Sequence, residues 1–338
     1  MARKVRAAVA GANGYAGITA VNLLSRHPHV ELVQLTSRSY AGKPYREVFP
    51  LLELEGQFLA EPEPDGIEVV FSCLPHNVGA GKAQAWLDRG ARVIDMSADF
   101  RLRDAGQYPV WYRQAHPHPE LLETAVLGLP ELHADELKQA KLIAVPGCYS
   151  TTAILALAPA VAAGLAGRDV VIDAKSGVSG AGRSPALGTH FSEVNESVAA
   201  YSIAGHRHIA EIEQELGALA NGHQPRVTFV PHLVPMSRGI LATCYFDLEG
   251  SLAQLQDAYR EFYARQPFTR VVDQAPSTKL ASHSNLCLVN VSAQGEKAVV
   301  TAALDNLVKG ASGQGVECFN LAFGFDRTTA LEAPVQWP

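Results

Sequence analysis

The first apolar runs of the chain are short and barely alternate. KVRAAVAG is almost continuously apolar, as a strand covered on both faces of a parallel sheet must be. NGYAGITAVNLLSRHP then places Ile18, Val21 and Leu24 at helical spacing and is stopped by His27-Pro28. VELVQLTS, IEVVFSCL, ARVIDMS and KLIAVPG read as further strands, with GAGKAQAWLDRG as a helix closed by Gly90. Strands alternating with helices predict an α/β domain built on a doubly wound parallel sheet. Residues 104–125, including YPVWYRQAHPHPE, carry too many prolines and histidines for a regular element and are read as a long ordered loop.

After residue 148 the texture changes. CYSTTAILALAPAVAAG predicts a helix, DVVIDAKS a strand and GVSGAGRSPALG a glycine-built loop. RVTFVPHLV, RGILATCYFDLE, NLCLVNVS and KAVVTAAL are longer strand-like runs, interrupted by the amphipathic helix SLAQLQDAYREFYARQ. That pattern predicts an antiparallel or mixed sheet with helices on one face, an α+β domain. The closing NLVKGASGQGVECFNLAFGF reads as a helix that packs back on the first domain. The expected division is 1–147 with 306–338 as one domain and 148–305 as the other.

A length of 338 residues exceeds what one core usually serves, which agrees with two domains. Hydrophobic residues make up 47% and charged residues 18%, the balance of a packed globule. The formal net charge is −6 with no basic run, which argues against nucleic acid or an anionic membrane surface as partner. The N-terminus has no signal-peptide pattern, and no segment is apolar for the roughly 18 residues of a membrane span. The five cysteines are dispersed, without a CxxC pair, so neither a disulfide framework nor a metal site is expected. A reduced, cytoplasmic protein is the expectation.

Between the first strand and helix lies GANGYAG, with Gly11, Gly14 and Gly17 spaced GxxGxxG. Glycines there let the backbone turn tightly and approach a pyrophosphate seated on the helix amides. Gly11, Asn13, Gly14, Tyr15 and Gly17 are therefore candidate cofactor-binding residues. The second strand ends in Thr36-Ser37-Arg38 rather than an acidic residue, and Ser37 with Arg38 suits a 2'-phosphate, favouring NADPH/NADP+.

Cys148 follows Pro146-Gly147 and heads a helix, where unpaired amides and the dipole favour a thiolate. Cys244 and Cys287 lie in apolar strands, Cys318 in a helix, and nothing activates Cys73. GHRHIAEIEQ offers His206 and His208 as proton partners, with Glu211 three residues after His208. Spacing alone leaves both histidines as candidates. His190 and His232 lie beside turn residues without a flanking acid. Arg101, Arg183 and Arg238 are candidate anion donors.

GANGYAG, SADFRL, VPGCYSTT, DAKSGVSGAGR, GHRHIAEIEQ and GASGQGV, in this order over nearly the whole chain, resemble the N-acetyl-gamma-glutamyl-phosphate reductases of arginine biosynthesis, relatives of the aspartate-semialdehyde dehydrogenases. The resemblance implies a Rossmann-type domain, a glyceraldehyde-3-phosphate dehydrogenase-like catalytic domain, NADPH, a small-molecule acyl phosphate substrate and a homodimer or homotetramer. It implies Cys148 as acyl acceptor and the His206/His208 segment as the acid–base element, His208 being preferred because Glu211 lies one turn ahead. Ser97 to Arg101 would bind the departing phosphate. Ser150 joins the substrate residues, and Lys175, Ser176, Gly177 and Arg183 would lie near substrate and nicotinamide. Gly310 and Gly313 would return to the cofactor. Two rivals remain at this stage: an aminoadipyl-phosphate reductase of lysine biosynthesis acting on a carrier protein, and a dinucleotide-binding protein without catalysis.

Overall fold

The computed structural model describes residues 3–63 and 65–332. The end of the segment 306–338 expected to return to the first domain, residues 333–338, lies outside the described residues. The chain forms two compact units. One runs up to Pro146 and takes in Ala311–Glu332, and the other is Gly147–Gly310.

The first unit contains β1 (Val5–Ala10), α1 (Tyr15–Leu24), β2 (Val30–Leu35), β3 (Val69–Ser72), α2 (Ala80–Asp88), β4 (Arg92–Asp95), α3 (Gln107–Tyr112), β5 (Ala125–Leu127), α4 (Pro130–Gln139) and β6 (Leu142–Ala144). All strand pairs are parallel, in the order β2-β1-β3-β4-β6-β5. The side chains of β1, β3, β4 and β6 are almost all buried, as the uninterrupted apolar runs require. The strand order reverses between β1 and β3, and an open parallel sheet offers a ligand crevice at such a switch point.

The expected loop at 104–125 is instead partly regular. Residues 107–112 form α3 and Pro119–Glu123 a 3-10 turn, with β5 beginning at Ala125. Pro109 is the third residue of α3, where an N–H has no intrahelical partner, so proline costs nothing there. Asp104 supplies the start, accepting from the Gly106 amide at 2.8 Å. The buried Tyr108 anchors the helix through its hydroxyl, which donates to the Asp99 carbonyl.

The second unit contains α5 (Cys148–Ala162), β7 (Ala166–Gly177), α6 (Phe191–Val194), β8 (Ala199–Ala200), α7 (His208–Leu219), β9 (Arg226–Val234), β10 (Ile240–Leu248), α8 (Leu252–Tyr263), β11 (Thr269–Val271), α9 (Thr278–Ala281), β12 (Cys287–Gln294) and β13 (Lys297–Leu304). Its sheet has the order β11-β12-β13-β10-β7-β9-β8 and is mixed, β7/β9 and β11/β12 being parallel. Helices α5, α7 and α8 pack on one face. On the other face the cross-strand partners Val171 and Tyr245 remain exposed. The last helix, α10 (Gly313–Ala322), belongs to the first unit and packs on α1 and α4, with Gln314 donating to the Gly128 carbonyl at 2.9 Å.

Helix α5 is buried along nearly its whole length yet contains Pro159. Proline has no N–H, so the Leu155 carbonyl loses its donor four residues on. The Tyr263 hydroxyl from α8 donates to that carbonyl at 2.6 Å, and Tyr259 donates to the Ala156 carbonyl beside it. A tyrosine of one helix thus repairs the interrupted ladder of another, and a second one supports the carbonyl beside it. Tyr263→Phe should lower stability in urea titration by about 1–2 kcal/mol. In a Pro159→Ala background, where an amide N–H can return, the same change should cost less. Equal costs in both backgrounds would remove the repair role.

Candidate active site

Cys148 is the first residue of α5, after an extended Gly147. Its thiol therefore stands at the free amides and positive end of a helix of 15 residues. It is half-buried, whereas Cys244, Cys287 and Cys318 are buried. Burial pushes the Cys244 thiol far up, and burial with Asp95 does the same to Cys73. Those thiols stay protonated and inert.

Gly147 is held from two sides. The wholly buried Glu211, in the first turn of α7, accepts the Gly147 N–H at 2.9 Å. A Cβ at 147 would lie 2.3 Å from His208 Nε2, so the imidazole rests directly on the glycine that precedes the nucleophile. The other Glu211 oxygen lies 3.9 Å from His208 Nε2. Behind the cysteine, a Cβ on Gly310 would meet the Cys148 Cβ at 2.8 Å. Glycine at 147 and 310 is demanded by space, not by backbone angles.

His206 takes a different part. Its Nδ1 accepts the His208 backbone N–H at 3.1 Å, closing the first amide of α7, so a neutral ring carries its proton on Nε2. The two imidazoles meet edge to face at 4.5 Å, and Tyr149, Tyr201 and Phe229 surround His206. Burial, with the nearby Arg207 charge, lowers its pKa to about 4.

These groups open into a cavity of about 480 Å³, a size suited to a small metabolite. It brings together Cys148, His206, His208, Ser176 and Gly177 of the expected residues. Gly177 allows close passage of the chain, since its Cβ would lie 2.8 Å from the Arg238 amide nitrogen. Lys175, Ser150 and Arg183 do not line the cavity. Lys175 is paired with Asp173 at 2.7 Å, Ser150 is buried within α5, and Arg183 is exposed. His232 does have an acid: Asp173 on the neighbouring strand approaches its Nδ1 at 3.2 Å, a partner that local sequence does not display. Tyr149, Tyr201 and Arg207 line the cavity and were not anticipated. Tyr149 and Arg207 sit next to residues already singled out, whereas Tyr201 carries no sequence signal. Its hydroxyl donates to that of Tyr149 at 3.2 Å, and Tyr149 donates to the His232 carbonyl at 3.1 Å.

In the first unit, Gly11 has φ +77° and its Cβ would lie 2.6 Å from the Cys73 carbonyl, at the switch point between β1 and β3. A Cβ on Gly17 would meet the Gly11 carbonyl at 2.3 Å. Gly14, preceding Tyr15 at the start of α1, meets nothing closer than 3.6 Å. Two glycines thus seat the turn and the third keeps the helix amides uncovered, a cradle that fits a pyrophosphate. Asn13 donates to Ser39 at 3.2 Å, and Ser37 accepts the Tyr40 N–H. Arg38 is exposed and pairs with Glu61 at 3.1 Å, a surface contact worth little.

Ser97 and Arg101, expected at the phosphate, are both buried and engaged. Ser97 donates to Asp95 at 2.5 Å, and burial with Asp99 raises the Asp95 carboxyl to about 7. Arg101 donates to the Val145 and Met96 carbonyls at 2.8 and 2.9 Å. In this structure they brace the segment between β4 and α3. Gly313 begins α10 in the first unit, whereas Gly310 stays in the second.

Fold and site together define a semialdehyde dehydrogenase. Residues 6–140 match the semialdehyde dehydrogenase NAD binding domain, and residues 148–306 match the dimerisation domain of the same enzymes. Aspartate semialdehyde dehydrogenase II from Vibrio cholerae shares the fold with a TM-score of 0.73 at 17% identity, over 96% of this chain and 99% of that one. The Candida albicans aspartate semialdehyde dehydrogenase solved with NADP gives 0.70 at 17% identity, over 94% and 98%. N-acetyl-gamma-glutamyl-phosphate reductase from Symbiobacterium thermophilum is 48% identical over 97% of each chain. The Dehalococcoides mccartyi enzyme of that name is 46% identical over 99% of this chain and 100% of its own. The chain belongs to the N-acetyl-gamma-glutamyl-phosphate reductase family and is an oxidoreductase that works with a nicotinamide dinucleotide.

Gly147→Ala must displace the His208 ring, so kcat should fall about 100-fold while Cys148 still alkylates. Retention of wild-type kcat would separate His208 from the chemistry. His206 has a folded pKa below its unfolded value, so the stability it contributes is present above about pH 6.5 and lost as pH falls towards about 4. In His206→Asn the amide oxygen can accept the same N–H without titrating. Its denaturation midpoint should fall less than that of wild type over this window, and parallel profiles would contradict the assignment.

Proposed function

We propose that this chain reduces N-acetyl-gamma-glutamyl phosphate to the semialdehyde, with release of inorganic phosphate, through a thioester on Cys148. The observation that carries the reading is the half-buried Cys148 at the start of α5, with His208 packed on Gly147 and Glu211 gripping the Gly147 amide.

The Cys148 thiolate attacks the acyl carbon, forming the C–S bond. The negative charge that develops on the carbonyl oxygen faces the free amides of the α5 N-terminus. The C–O bond to phosphate breaks, and inorganic phosphate departs with the electron pair. Held on the glycine turn of Gly11, Gly14 and Gly17, a reduced nicotinamide dinucleotide would supply the hydride that the thioester carbon needs. His208 gives a proton to the oxygen, leaving a thiohemiacetal on Cys148. On collapse His208 takes that proton back, the C–S bond breaks, and the aldehyde leaves a regenerated thiolate. His206 holds α7 and its neutral ring lies against His208; it is a positioning residue, as is Glu211.

The first unit holds the dinucleotide on Gly11, Asn13, Gly14, Tyr15 and Gly17. The proposal specifies NADPH because Ser37 and Arg38 follow β2 where an acidic residue would oppose a 2'-phosphate. The second unit holds the acyl group and mediates association into a homodimer or homotetramer, for which the open sheet face bearing Val171 and Tyr245 is the apolar surface. Among the described residues no helix is long and apolar enough to cross a membrane. The proposed setting is the cytoplasm, in arginine biosynthesis.

The test is phosphate-dependent oxidation of N-acetyl-glutamate semialdehyde with each nucleotide, beside the corresponding aminoadipate semialdehyde. Wild type should turn over the first with NADP+. Cys148→Ala should lose at least a thousandfold, since nucleophile and base act as a unit. Near-wild-type turnover by Cys148→Ala would end the thioester mechanism, and preference for the aminoadipate compound would move the substrate.

A further inference from the structure

The cavity beside Cys148 differs in charge from the chain around it. The formal net charge is −6, yet among the described residues Arg207 is the one lining residue with a permanent charge and no carboxylate lines the cavity. Arg207 is exposed and sits between His206 and His208 in the chain. Its charge bears on groups in the cavity wall: it adds to the burial that keeps His206 neutral, and it counters the burial that raises Tyr201. The cations expected near the substrate, Lys175 and Arg183, do not line the cavity, and Lys175 is tied to Asp173.

An acyl phosphate of the proposed kind carries two anionic groups. The phosphate leaves in the first step, whereas the α-carboxylate stays through the whole cycle. A guanidinium offers a planar fork that matches a carboxylate with two parallel N–H donors. We infer that Arg207 binds the α-carboxylate of the acyl chain, remote from the carbon that Cys148 attacks, and so selects acyl substrates that carry one. This rests on the proposed role of Cys148 as acyl acceptor. Arg207 is then a binding and specificity residue that fixes the acyl group in register with the nucleophile, with no part in proton transfer. Arg207 lies within the same short segment as His208, so the anchor and the proton donor move together.

Two reagents of similar size test the charge directly. Iodoacetate and iodoacetamide both alkylate Cys148, the sulfur displacing iodide, but only the first carries a carboxylate. Relative to a free small thiol, wild type should favour iodoacetate, and high salt should erase that preference. Arg207→Gln should lower the iodoacetate-to-iodoacetamide rate ratio at Cys148 about tenfold, and Arg207→Lys should keep most of it. Equal ratios in all three proteins, with no salt effect in wild type, overturn the inference. With substrates, Arg207→Gln should raise KM for N-acetyl-glutamate semialdehyde about tenfold or more at nearly unchanged kcat. It should leave 4-acetamidobutanal, the same aldehyde without the carboxylate, unaffected. Equal losses on both aldehydes also overturn it. Failure of the thioester mechanism reads differently, as turnover retained by Cys148→Ala whatever the alkylation ratio.

Discussion

The buried Glu211 carboxylate accepts the Gly147 N–H at 2.9 Å, and through that bond the start of α7 holds the start of α5. A charge-assisted bond in a buried setting is among the stronger polar contacts a protein makes. It fixes the residue before the nucleophile. Because residue 147 is glycine, His208 has the room to pack there. Cys148, His208 and Glu211 are thereby placed by one contact between two helix N-termini. Each lies on a helix rather than on a loop, so their mutual geometry inherits the stiffness of the packed second unit.

That stiffness has a visible weak point and a visible remedy. Pro159 interrupts the ladder in the last third of α5, and Tyr263 of α8 donates to the carbonyl it leaves without a donor, with Tyr259 donating to the next one. The helix that carries Cys148 is therefore held at two places by other helices: α7 at its N-terminus and α8 at its middle. The sheet beneath contributes the cavity wall at Ser176 and Gly177, where β7 ends. In the first unit the constraint is the same in kind. At Gly11 and Gly17 the backbone passes so near other carbonyls that only glycine fits, and Gly14 leaves the amides of α1 open.

The histidine pair shows how one motif divides into two jobs. Both rings lie in the cavity wall, 4.5 Å apart. His206 uses Nδ1 to close the first amide of α7 and is pressed among aromatic rings, which keeps it neutral. His208 rests on the glycine before Cys148 with Glu211 behind it. Arg207 between them brings the cavity's permanent charge. Three consecutive residues at the entry to α7 thus contribute a helix cap, a charge and an imidazole packed on Gly147 to one cavity wall.

Periodicity and turn chemistry carried the element order, the parallel and mixed sheets, and the glycine cradle, because these are local or nearly local properties of backbone sterics and side-chain alternation. Proline-rich 104–125 misled, since a proline at the third position of a helix looks like a breaker in sequence and is harmless in place. Cys148 and the His-Arg-His segment were legible from residue type and helix position. Tyr201, the Asp173–His232 pair and the engagement of Arg101 with backbone carbonyls were not. Sequence by itself determined which residues have reactive or permissive chemistry: a thiol on helix amides, two imidazoles near a carboxylate, and glycines at the turn between β1 and α1. Tertiary structure alone decided which imidazole meets the nucleophile's neighbour and which arginine faces the cavity, because both depend on distances between segments some 60 residues apart that no local pattern encodes.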